Sequence, residues 1–149
     1  MTRQLRHVCV AVSLAMLAAG CTSTRHADAS IFSVLPGIWG WEADGAGTCS
    51  ANPHAITFSN DRSVMFLRTA KTFERHTGAE TSVVLYRILG SDPHLRLALD
   101  GETRTTPTGA LVEWDLIMLS LDRYCWHRTD WPAGSCTAAI VRCVSAASQ

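Results

Sequence analysis

Short runs of alternating apolar and polar residues, parted by clusters of turn-forming residues, leave this chain few folds to adopt. The clearest run is His94–Thr103, where Leu95, Leu97 and Leu99 fall on one face and Arg96, Ala98 and Asp100 on the other. Successive side chains of a strand point to opposite sides, so this spacing predicts a strand with one face sunk in a core. Ile38–Glu42, His54–Ser59, Ser63–Thr72, Thr81–Leu89, Leu111–Ser120, Arg123–Arg128 and Ala138–Val144 read the same way. Asn60-Asp61-Arg62, Gly90-Ser91-Asp92-Pro93 and Thr105–Gly109 supply turn chemistry between them. No amphipathic helical pattern competes. Eight strands joined in sequence by short links predict an all-β antiparallel meander. Closing it into a barrel would remove the exposed sheet edges, and a two-sheet β-sandwich is the alternative.

The N-terminus is of another kind. Arg3 and Arg6 precede the uncharged, mostly apolar run His7–Ala19, with Gly20 just before Cys21. The run is too short to span a bilayer and has the layout of a secretory signal. Leu17-Ala18-Ala19-Gly20-Cys21 resembles the lipobox of bacterial lipoproteins, although Ala18 stands where the consensus prefers leucine. An ordinary cleaved signal with an incidental thiol is the competing reading. The resemblance implies a signal peptide over 1–20, lipidation of Cys21, a flexible tether over 21–30 and a folded domain over 31–149. With Thr22 rather than aspartate after the cysteine, it implies lipid anchoring at the outer membrane, facing the periplasm.

Loss of residues 1–20 would leave 129 residues, enough for one domain with a sizeable core. It removes two arginines and no acid, so the 13 basic and 13 acidic residues become 11 and 13. That balance points away from nucleic acid and from an anionic membrane surface as partners; contact with the membrane is expected through the lipid alone. Cys49, Cys125, Cys136 and Cys143 remain beyond Cys21. In an exported domain four cysteines read as two disulfides. Structural zinc is the competitor, but no C-x-x-C spacing is present.

A second resemblance covers the topology and two short anchors. Gly37-Ile38-Trp39 opens the first strand as the G-x-W motif opens lipocalin-like barrels, and Arg142 lies in the last strand, where those barrels often carry an arginine. The resemblance implies that Arg142 stacks on Trp39 and closes one end, a guanidinium over an indole being a favourable cation–π pair. A buried tryptophan and an unrelated surface arginine would satisfy the same residues. If the last two strands form a hairpin centred near Ala133, Cys125 faces the neighbourhood of Cys143. Closure of first strand on last then brings Cys49 toward Cys136. The expected disulfides are therefore Cys49–Cys136 and Cys125–Cys143.

Catalytic chemistry finds little support. His26, His54, His76, His94 and His127 form no metal-binding spacing, and His54 and His94 follow prolines where exposed turn histidines are common. Asp100/Glu102 and Glu113/Asp115 are spaced to share strand faces, but solvated faces are the commoner explanation. G-x-S-x-G, S-x-x-K and a phosphate loop are absent, so neither catalysis nor a cofactor is expected. The densest recognition-type segment is Tyr124–Trp131, with Tyr124, Trp126 and Arg128 on one face and Trp131 close by. Two functions remain in view. One is a non-enzymatic binding lipoprotein holding a small apolar ligand inside the barrel, lined by Leu95, Leu97, Leu99, Trp114, Leu116 and Met118. The other is an inhibitor or immunity-type lipoprotein that binds a periplasmic protein through Tyr124–Trp131.

Overall fold

Every expected run coincides in most of its length or in part with a strand in the computed structural model, which describes residues 30–43, 45–75 and 78–144. The signal, Cys21, the tether up to residue 29, His26 and His76 lie outside the described residues. The strands are β1 (Gly37–Trp41), β2 (His54–Phe58), β3 (Val64–Glu74), β4 (Glu80–Gly90), β5 (Leu95–Leu99), β6 (Trp114–Ser120), β7 (Arg123–Arg128) and β8 (Ile140–Arg142). Each pairs antiparallel with the next, and β1 also pairs β8 through Trp39↔Arg142, Gly40↔Val141 and Trp41↔Ile140. The sheet is thus a closed eight-stranded meander barrel and not a sandwich.

The strand limits depart from the sequence reading in a consistent way. β3 and β4 run longer, pairing out to Glu74↔Glu80 across a register shift between Arg68 and Phe73. β5 stops at Leu99 and β6 begins only at Trp114. Alternation alone marks which residues can face inward, whereas strand ends depend on where a neighbour stops offering hydrogen bonds. A one-turn helix, α1 (Ile31–Val34), precedes β1 and was not expected, since four residues are too few to display helical periodicity.

That helix plugs one end of the barrel. Leu35 is fully buried below it, and the Trp39 indole N–H donates to the Leu35 carbonyl at 2.9 Å. The Arg142 guanidinium lies 4.2 Å from the Trp39 ring centroid and donates to the carbonyls of Val34, Pro36 and Leu121 and to the Asp122 carboxylate. A Cβ at Gly37, whose φ is +145°, would come within 2.5 Å of the guanidinium, so the first position of the motif admits only glycine. Arg142→Met keeps the apolar stem but loses the cation and its donors. It is expected to destabilise the domain by about 2 kcal/mol in urea unfolding followed by tryptophan fluorescence.

The disulfides correct the expected pairing: they are Cys49–Cys143 and Cys125–Cys136. The connection after β1 does not continue away from that strand. It folds back outside β1, and a Cβ on Gly40 would meet the Cys49 backbone nitrogen at 2.4 Å. Cys49 is thereby carried beside the end of β8, where the Cys143 N–H donates to the Ile38 carbonyl at 2.8 Å. The connection between β7 and β8 folds back as well. Thr137 N–H donates to Trp126 O, and Trp126 N–H donates to Thr137 Oγ1, which sets Cys136 beside Cys125. Straight extrapolation of the strands missed both returns.

Candidate functional site

The inward faces of the strands fill the barrel near α1 and leave it open at the other end. Ile56, Met65, Leu95, Leu97, Leu116 and Tyr124 are fully buried and pack the closed half around Trp39. Beyond them a cleft of about 430 Å³ opens toward the connections β1–β2 and β3–β4. Its apolar walls come from Trp41, Leu67, Phe73, Val84, Leu99, Trp126 and Ile140. Phe73 belongs to the part of the β3–β4 hairpin past the register shift, and such irregularities turn side chains toward sites that a regular ladder would miss. A column of rings joins the two halves. Trp39 packs edge-on against Tyr124 at 4.9 Å, Tyr124 against Trp126 at 5.9 Å, and Trp126 stacks on Tyr86 at 5.5 Å.

Polar groups in this interior are few. His54 Nε2 lies 2.5 Å from the Tyr124 hydroxyl. Burial holds the His54 pKa down at about 4, so the ring is neutral near pH 7, and burial pushes the Tyr124 and Tyr86 phenols upward. At the rim Asn52 is engaged with the backbone of Lys71, which also accepts from Thr69 Oγ1 at 2.6 Å. Glu74 and Arg75 stand there with opposite charges.

The structure disperses the residues singled out in the sequence. Tyr124 lies beneath the cleft and Trp126 forms its wall. Arg128 is paired with Asp130 at 2.5 Å and sits over Trp114 and Trp131, at 5.6 and 5.3 Å from their ring centroids. The Trp114 indole donates to Glu102 at 3.4 Å. Burial alone would raise the Glu102 pKa, but hydrogen bonds from Arg104 and Trp114 outweigh it and lower it to about 2. Of the expected lining residues, Leu99 reaches the cleft. Leu95, Leu97 and Leu116 pack the closed half, and Met118 borders a separate depression beside Ser30, Ile31 and Val34. Asp115 pairs in two contacts with Arg96, with Glu113 3.8 Å from the same guanidinium, so that carboxylate pair braces the outer sheet. No group of three metal-ligating side chains occurs among the described residues.

His54, Tyr86, Trp41 and Phe73 were not expected at a site. His54, read as an exposed turn residue after Pro53, is only 6% exposed. Its signal was available: His54 shares parity with Ile56 and Phe58, so it belongs to the inward face. The chain matches no family model, no curated protein and no solved structure.

Proposed function

We propose that this chain is a periplasm-facing lipoprotein of the outer membrane, held by lipid on Cys21, whose barrel binds a small apolar molecule without transforming it. The observation that carries this reading is the cleft of about 430 Å³ inside the open half, walled by aromatic and aliphatic side chains. Sites for small molecules have this size and this lining, with a few placed polar groups. A barrel of eight strands has room for packed side chains or for one small ligand. Here the closed half follows the first course and the open half the second. The segment Tyr124–Trp131 lends less to a protein-binding role, because its aromatic and basic groups are turned inward or paired with one another.

The test is a native mass spectrum of the full chain after incubation with an envelope extract. An adduct of roughly a few hundred daltons, lost on mild denaturation, is the expected result. Leu67→Trp, which fills the cleft from β3, should abolish that adduct and leave the thermal midpoint within a few degrees of the parent. An adduct of protein mass that survives Leu67→Trp would overturn the proposal in favour of an inhibitor-type partner.

A further inference from the structure

Three polar groups of the cleft are hydrogen-bond donors without an acceptor among the described residues. Tyr86 and Trp126 are 9% and 6% exposed and both line the cleft. Among the described residues neither the Tyr86 hydroxyl nor the Trp126 indole N–H makes a hydrogen bond, and no sealed polar side-chain atom is without a partner. The two groups must therefore reach open space, and the space their side chains line is the cleft. The third donor follows from the pair beneath them. Tyr124 is fully buried, and His54 Nε2 is the partner of its hydroxyl. A phenol proton left unpaired there would cost more than one shared with the ring, so Tyr124 donates and Nε2 accepts. A neutral imidazole then carries its proton on Nδ1, and His54 also lines the cleft.

The competing polar groups do not offset these donors. Thr69 and Asn52 are committed to Lys71, and the Arg75 guanidinium donates to the Asp100 carbonyl. Resting on the apolar-ligand reading above, we infer that the cleft takes an uncharged, largely apolar molecule bearing an oxygen acceptor, a carbonyl group, inserted end-first toward Tyr86, Trp126 and His54. Its hydrocarbon body lies outward against Trp41, Phe73 and Leu99. A pure hydrocarbon of the same shape would bury the same area but leave buried donors unpaired. The two cations near the Tyr86 hydroxyl are already engaged, Arg104 with Glu102 and Arg75 with the Asp100 carbonyl, so a carboxylate would shed its hydration without a cation of its own.

The experiment compares a naphthyl methyl ketone with the isopropenylnaphthalene of the same shape, each titrated into the full chain and read by quenching of tryptophan fluorescence. Two hydrogen bonds to the ketone should favour it by roughly thirtyfold, and Tyr86→Phe should cut that preference to roughly fivefold. Because the Tyr86 hydroxyl bonds nothing among the described residues, the variant should keep the parent's thermal midpoint. It should also bind the hydrocarbon at least as tightly as the parent does, since one donor fewer is left unpaired. Equal affinity for the two probes in the parent would overturn the acceptor inference and leave an apolar cleft standing. Failure to hold either probe would overturn both readings.

Discussion

Replacing Cys49 and Cys143 together by serine is expected to lower the unfolding free energy by about 4–5 kcal/mol, against about 3 kcal/mol for the same change at Cys125 and Cys136. The two bridges span 94 and 11 residues. A crosslink stabilises largely by restricting the unfolded chain, and the restriction grows with the loop it closes. The longer bridge also holds the returning β1–β2 connection against Gly40, and residues of that connection, Ala46, Gly47 and Asn52, border the cleft. Its removal should therefore weaken ligand capture as well as stability. Urea unfolding of the two double-serine proteins decides the matter. If they lose equal stability, loop length does not govern the difference, and local strain or packing does.

Acid should destabilise this domain well above the range in which its carboxylates titrate. His54 has an unfolded value of 6.5 and a folded value of about 4. The unfolded chain thus takes up this proton first as the pH falls. The stability that the neutral ring contributes is whole above the unfolded value and is lost on the way down to the folded one. The loss should reach about 2 kcal/mol near pH 5 and about 3 kcal/mol near pH 4. Asp61 and Glu102, both held down at about 2, act in the same direction but only below their ordinary values of 3.8 and 4.5. The upper window therefore belongs to His54. His54→Gln retains an acceptor for the Tyr124 hydroxyl and does not titrate, so its stability should be flat between about pH 6.5 and 5. A variant that loses stability in step with the parent would show that the transition arises elsewhere.

Much of the architecture was legible because alternation is a local property. Leu95, Leu97 and Leu99, or Ile56 and Phe58, declare a strand and its inner face whatever the rest of the chain does. The same rule would have turned His54 inward, but proximity to Pro53 drew it into a turn. The site was less legible, since every strand presents inward residues at several heights of the barrel. Leu97 and Leu99 are equivalent in sequence, yet one is buried in packing and the other lines the cleft. Which height is filled depends on the volume contributed by seven other strands and on the plug supplied by α1.

By itself, then, the sequence determined the strands, their inward faces, their meander order, the export signal as an expectation and the presence of four cysteines suited to crosslinking. Tertiary structure alone decided which cysteines join, because the connections after β1 and β7 double back along the barrel. It also decided where the barrel is hollow. Alternation acts within a few residues, whereas loop return and packing are set by atoms far apart in the chain that meet only after closure.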